Sequence, residues 1–76
     1  MKTIYIGCFD CVCVNDLYRD CNYQSATADT EEKFLQEIKS YSSYITATNY
    51  HNETIYLNPL HIQEISHIHL YTRMEP

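Results

Sequence analysis

Hydrophobic and polar residues alternate along several short segments of this 76-residue chain, a pattern typical of β-strands with two unlike faces. One set of alternating positions is aliphatic, and the other is aromatic or polar. The aliphatic set comprises Ile4, Ile6, Ile45, Ala47, Ile55, Leu57, Ile68 and Leu70. The other set comprises Tyr5, Tyr44, Thr46, Thr48, Tyr56, His67, His69 and Tyr71. The sequence therefore predicts a sheet with one buried face and one open face.

One segment has the period of an amphipathic helix, and we expect it to cover the aliphatic face. Its apolar stripe comprises Phe34, Leu35, Ile38 and Tyr41. Asp29 is predicted to cap the first turn, with Glu32 completing a capping-box-like pair. The helix should span about residues 30–41.

The remaining segments predict strands and one irregular region. Residues 3–9 should form a strand, and residues 11–14 a short strand that pairs back after a turn at Asp10. Residues 15–28 show no sustained period, which favours an acidic loop. Residues 44–49 and 54–58 should form a hairpin, with Asn52 in its turn.

After the hairpin, residues 59–61 favour one helical turn, followed by a long strand to about residue 72 with a bulge near Glu64. The sequence predicts one domain, residues 1–76, of the α+β class. Its two layers would be one helix and an antiparallel sheet of four strands, or five if residues 11–14 pair. The expected core comprises Ile4, Ile6, Phe34, Leu35, Ile38, Ile45, Ala47, Ile55, Leu57, Ile68 and Leu70.

The net charge of −5 disfavours direct binding of nucleic acid, because a negative surface repels phosphates. Six of the ten acidic residues fall between positions 10 and 32, where Arg19 is the single lysine or arginine. The candidate acidic surface comprises Asp10, Asp16, Asp20, Glu31 and Glu32. Such a surface favours a basic protein partner, including one that itself binds nucleic acid.

Neither a secretory signal pattern nor an apolar stretch of membrane-spanning length is visible in the sequence. We therefore expect a soluble cytoplasmic protein with reduced thiols.

Four cysteines lie close together in the first part of the chain: Cys8, Cys11, Cys13 and Cys21. Their number fits a structural zinc ion, and the spacing of Cys8 and Cys11 fits half of such a site. The longer spacing of Cys13 and Cys21 does not fit the other half of a zinc site. Small buried thiols are the alternative interpretation, and it is the one we favour.

The aromatic and imidazole side chains of the open face are the candidate contact residues. They comprise Tyr5, Tyr44, Tyr56, His67, His69 and Tyr71. Tyrosine is common at binding hot spots because it buries a large area at low entropic cost. His67 and His69 could also supply two metal ligands, but two ligands alone make a weak site. No residue pair marks a catalytic centre, so we do not expect an enzyme.

The sequence favours a non-catalytic protein-binding module that acts by covering a partner's working surface. Small acidic inhibitors encoded by phages and mobile elements, including anti-CRISPR proteins, act in this way. The alternatives are a zinc-stabilised structural or regulatory module and a nucleic-acid binder that uses the sheet. A homodimer through the open face or through the edge of the last strand is consistent with so small a domain.

Overall fold

A computed structural model describes residues 2–14, 16–40 and 43–76, and within them one α-helix packs on one face of a five-stranded antiparallel sheet. The predicted α+β class is confirmed. In chain order the elements are β1 (Lys2–Cys13), β2 (Asp16–Ser25), α1 (Glu31–Ser40), β3 (Ile45–Thr48), β4 (Thr54–Leu57), a 3₁₀ turn (Pro59–His61) and β5 (Ile62–Glu75). The spatial order of the strands is β4-β3-β2-β1-β5.

The first hairpin is longer than the sequence predicts. β1 continues through Asp10, so residues 11–14 do not pair back on residues 3–9. Residues 16–25, predicted to lie in an acidic loop, form β2 instead. The register between the two strands shifts where Asp20 adopts a positive φ of 53°, and its N–H donates to Asp10 Oδ1 at 3.0 Å. The turn-prone residues therefore form a bulge inside the hairpin rather than a loop.

The helix forms where the sequence predicts it, but its cap differs. The Lys33 N–H donates to Thr30 Oγ1 at 3.1 Å, so Thr30 rather than Asp29 caps the first turn. Asp29 instead pairs with the Lys33 ammonium at 2.8 Å. The predicted end at Tyr41 lies outside the described residues. Among those that are described, no helix combines the length and apolar content needed to cross a membrane.

The two faces of β1 are the reverse of those predicted. Gly7 lies opposite Tyr23 and Leu70, and a Cβ atom on Gly7 would overlap the Phe34 ring, so Gly7 faces the helix. Side chains alternate along a strand, which places Ile4 and Ile6 on the other side of the sheet. Ile6 is buried there, away from the main core.

The core between sheet and helix combines predicted and unpredicted residues. The predicted members that are buried there are Phe34, Ile38, Ile45, Ala47 and Leu57. Ile55, Ile68 and Leu70 pack against this cluster but are only partly buried, and Leu35 is half-buried. Phe9, Tyr23 and Ala28 were not predicted as core residues, and Cys11 and Cys21 were absent from the predicted core although burial was the favoured interpretation of the cysteines. All of these lie in β1, in β2 or just before the helix, where the predicted strand phase or element type was wrong.

The second half of the chain agrees closely with the prediction. β3 and β4 form the expected hairpin, and Asn52 adopts a positive φ of 61° in the turn. The 3₁₀ turn precedes β5, and the register of β5 against β1 shifts next to Glu64, as predicted. A second shift lies at His67, whose φ is 54°. This second bulge was not predicted.

Candidate functional site

The side of the sheet opposite the helix forms a continuous polar and aromatic surface, which we call the open face. Cross-strand pairing defines its membership, because directly opposed residues point to the same side of a sheet. Its residues are Lys2, Ile4, Ile6, Cys8, Asn22, Gln24, Thr46, Thr48, Thr54, Tyr56, His69, Tyr71, Arg73 and Glu75. All five strands contribute to it.

Three tyrosines near this face are well exposed. Tyr56 is 67% exposed, Tyr71 is 43% exposed, and Tyr44, directly before β3, is 63% exposed. His69 is also exposed and lies two residues before Tyr71 on the same face of β5, with the two ring centroids 6.2 Å apart. The alternation in β3, β4 and the end of β5 therefore predicted correctly which of these residues point away from the core.

Tyr5 does not join this surface. It lies opposite Ser25 and Thr72 on the helix side of the sheet, because the phase of β1 is reversed. His67 is highly exposed but sits in the bulge of β5, where its Nδ1 lies 3.2 Å from Asp10 Oδ2. It therefore flanks the open face and does not continue the row formed by His69 and Tyr71.

A shallow groove of about 460 Å³ crosses the middle of the open face. Its lining residues include Ile6, Asn22, Gln24, Thr46, Tyr71 and Arg73. The Tyr71 hydroxyl donates to Asn22 Oδ1 at 3.1 Å, which ties β5 to β2 across β1. The groove thus offers amides, hydroxyls and one guanidinium around an aliphatic floor. Such a mixture fits the polar and apolar parts of a protein surface.

The acidic residues singled out from the sequence divide between two places. Asp10 and Asp20 are joined by a hydrogen bond at the bulge beside the open face, and Asp16 begins β2 beyond them. Glu31 and Glu32 lie in the first turn of α1, on the opposite face of the sheet. The chain therefore does not present these five carboxylates as one surface.

The four cysteines do not converge either. Cys11 and Cys21 are buried in the core on the helix side, and Cys13 packs against them. Cys8 lies on the open face, between Asn22 and His69. Among the described residues, no group of three or more histidine, cysteine, aspartate or glutamate side chains could hold a metal ion.

Cys8 and His69 are direct cross-strand neighbours, a pairing that resembles a nucleophile beside a base. A nucleophilic cysteine needs a depressed pKa. Burial raises the pKa of Cys8 instead, and the carboxylates of Asp20 and Asp10 raise it further. The thiolate is therefore disfavoured, and this pairing lacks the electrostatics of an activated cysteine.

Three of the polar residues that line the groove were not predicted from the sequence. Asn22 and Gln24 lie in β2, which the sequence predicts as a loop, and Arg73 lies beyond the expected end of β5. The alternation of Asn22 and Gln24 with Cys21, Tyr23 and Ser25 was the available signal. It was obscured because the inward residues are not aliphatic.

Comparisons with known proteins give no relative for this chain: no family model, no curated protein and no solved structure matches it.

Proposed function

We propose that this chain is a non-catalytic protein-binding module that covers a functional surface of its partner with the open face. One observation carries the proposal: Tyr56 and Tyr71 remain exposed on a sheet face that no element of the described residues covers. Exposed tyrosines beside amides and hydroxyls have the composition of a protein contact surface. Small cores are marginally stable, so a bound partner would also stabilise the domain.

The chemistry of the open face supports binding over catalysis. The thiolate form of Cys8 is disfavoured, as described above. The groove is open and shallow, whereas substrate sites enclose most of their ligand. Covering a partner's surface needs only shape and contact chemistry, and both can be supplied by five strands.

Charge favours a basic partner. The carboxylates of Asp10, Asp16 and Asp20 lie at the bulge and at the start of β2, close to one end of the open face. Opposite charges across an interface speed association and select the partner. A protein that binds nucleic acid has the required basic surface, and an inhibitor covering it would block its access to nucleic acid. Four free thiols agree with action in the cytoplasm.

The experiment is affinity capture from an extract of the native host with immobilised wild-type and variant chains. Tyr56→Ala and Tyr71→Ala remove exposed rings from the open face. Gln36→Ala and Lys39→Ala, both exposed on α1, are the matched controls. Far-UV circular dichroism first establishes that every variant is folded.

The proposal expects one protein to be captured by the wild type and by both helix variants, and to be lost or reduced at least about tenfold by each tyrosine variant. Equal capture by all variants would show that the open face is not the contact. Loss with the helix variants but not with the tyrosine variants would place the contact on the opposite side.

A further inference from the structure

The last strand, β5, has an outer edge with no ladder partner among the described residues, because β1 is its only neighbour in the sheet. β5 is 14 residues long, whereas β4 at the opposite edge has four residues. A long edge strand presents unpaired N–H and C=O groups and is a template for another strand. The edge of β5 is thus the largest unsatisfied hydrogen-bonding surface of the sheet.

Natural edge strands are commonly protected by charged side chains, especially lysine, by proline or by a bulge. The half of β5 before the bulge at His67 contains a further register shift next to Glu64. The half after the bulge, residues 69–75, contains neither lysine nor proline and pairs with β1 without a shift. This second half is therefore regular and extended. Its two charged side chains, Arg73 and Glu75, form an ion pair with each other at 2.7 Å, and in a dimer they would face the second copy instead.

We infer that residues 69–75 of β5 pair antiparallel with the same segment of a second copy, with Thr72 on the two-fold axis. Three side-chain pairs repeat on each side of that axis. His69 meets Glu75, Leu70 meets Met74, and Tyr71 meets Arg73. The result is a symmetric dimer with a continuous ten-stranded sheet and both helices on one side.

Each pair in this register is chemically complementary and lies on one face. His69, Tyr71, Arg73 and Glu75 share the open face, so an imidazole meets a carboxylate and a phenol ring meets a guanidinium. Leu70 and Met74 lie on the helix face, where Leu70 packs against the core. Contact between Leu70 of one copy and Met74 of the other would extend this apolar packing across the dimer.

Other registers fit less well. A one-residue slip in the pairing, which moves the axis to a point between two residues, would oppose the two faces of the sheet, and alternation forbids this. Centring on Tyr71 would place His69 against Arg73, two groups without opposite charge. Complementarity therefore selects the register centred on Thr72, and it selects a second copy of this chain as the occupant.

The first test is disulfide trapping with Thr72→Cys. Residues on the axis would have Cα atoms about 5 Å apart, within the range of a disulfide. Met74→Cys is the matched control because it is exposed on the same face, yet the two copies of residue 74 would lie about 13 Å apart. Oxidised glutathione is the oxidant, and the wild type reports the background from the native thiols.

The inference expects Thr72→Cys to form a covalent dimer rapidly, and Met74→Cys to form no more than the wild type. Equal trapping of the two variants, or no trapping of Thr72→Cys, would overturn it. Both variants are checked by circular dichroism for native secondary structure.

The second test is charge reversal, read by sedimentation velocity over a wide range of protein concentration. His69→Glu places two carboxylates together on each side of the axis and should weaken the dimer at least about tenfold. Adding Glu75→Lys restores opposite charges and should return the dissociation constant to near the wild-type value. A monomeric wild type, or a double variant no tighter than His69→Glu, would overturn the inference. Both tests use the purified chain alone, so they are independent of the proposed partner.

Discussion

Gly7 of β1 lies directly beneath the Phe34 ring of α1, so close that a Cβ atom on Gly7 would overlap the ring. Phe34 is 1% exposed and also packs edge-on against Phe9, with ring centroids 5.5 Å apart. The sole glycine of the chain thus sets how closely the helix approaches the sheet. This contact also fixes which face of β1 is covered, and hence which face remains open.

The first prediction follows from that contact. Gly7→Ala forces the helix or the Phe34 ring to move and should lower the free energy of unfolding by about 2 to 3 kcal/mol. Urea denaturation followed by circular dichroism measures this loss. An unchanged stability would mean that Gly7 does not support the helix as described.

The Phe34→Leu variant provides the control for this mechanism, because a smaller side chain leaves room for the added methyl group. The double variant Gly7→Ala/Phe34→Leu should be more stable than the sum of the single losses predicts, by about 1 kcal/mol or more. Simple additivity of the two losses would exclude direct overlap as the cause.

Glu37 joins the helix to the end of β2 through three hydroxyl groups. Its Oε2 accepts from the Tyr23 hydroxyl at 2.7 Å, and its Oε1 accepts from Ser25 Oγ at 2.7 Å and from Thr27 Oγ1 at 3.1 Å. Ser25 Oγ in turn accepts the N–H of Ala28 at 3.0 Å. The carboxylate is therefore the acceptor on which the loop before α1 depends.

The second prediction is that Glu37→Ala lowers the free energy of unfolding by about 2 kcal/mol, since nearly buried hydroxyls lose a charged acceptor. Glu37→Gln retains one acceptor oxygen and should lose less. Gln36→Ala, exposed on the same helix, is the control and should change stability by less than about 0.5 kcal/mol. Equal losses of unfolding free energy for Gln36→Ala and Glu37→Ala would show that the hydrogen bonds to Glu37 do not contribute to stability.

The third prediction concerns thiol reactivity. Cys11 and Cys21 are at most 1% exposed, and a hydrogen bond between them together with burial raises the pKa of Cys11. A thiol-specific disulfide reagent should label Cys8 and Cys13 in the folded protein, and Cys11 and Cys21 only on unfolding. Because burial raises the pKa of Cys8 and of Cys13, their labelling should accelerate as the pH rises above neutrality.

A variant carrying Cys8→Ser and Cys13→Ser isolates the two core thiols. It should show no fast labelling before denaturant is added. A fast phase in this variant would mean that the core between sheet and helix is open to solvent.

The fourth prediction separates the proposed function from binding of nucleic acid by the sheet. With a net charge of −5, the chain should give no saturable binding to labelled single-stranded DNA or RNA, even at low salt. Fluorescence anisotropy is the measurement. Binding that weakens steeply as salt rises would instead support the alternative in which bases stack on the open face.

The sequence predicts the β3–β4 hairpin well because alternation there is uninterrupted. In β3 and β4 the aliphatic residues Ile45 and Leu57 are opposed and buried, and the polar residues between them point outward. The turn at Asn52 has a local cause, since asparagine tolerates a positive φ. Local signals of this kind act over a few residues and need no tertiary information.

The first half was harder because its strand phase depends on a distant partner. β1 has apolar residues on both faces, so alternation alone cannot tell whether Ile6 or Phe9 faces the helix. Packing of Phe34 over Gly7 decides it. In β2 the positive φ of Asp20 shifts the register and breaks the period, which made a strand resemble a loop. Both differences change the candidate site, because Tyr5 lies on the helix side of the sheet, whereas Asn22 and Gln24 lie on the open face.

The open face as a protein contact is the claim on which the functional account rests. Its most direct measurement is the two-dimensional ¹H–¹⁵N spectrum of the labelled chain, with and without the protein that the capture experiment identifies. The account predicts that signals of Tyr56, His69 and Tyr71 shift or broaden while those of Gln36 and Lys39 remain in place. Changes confined to α1, with the sheet signals unmoved, would contradict it.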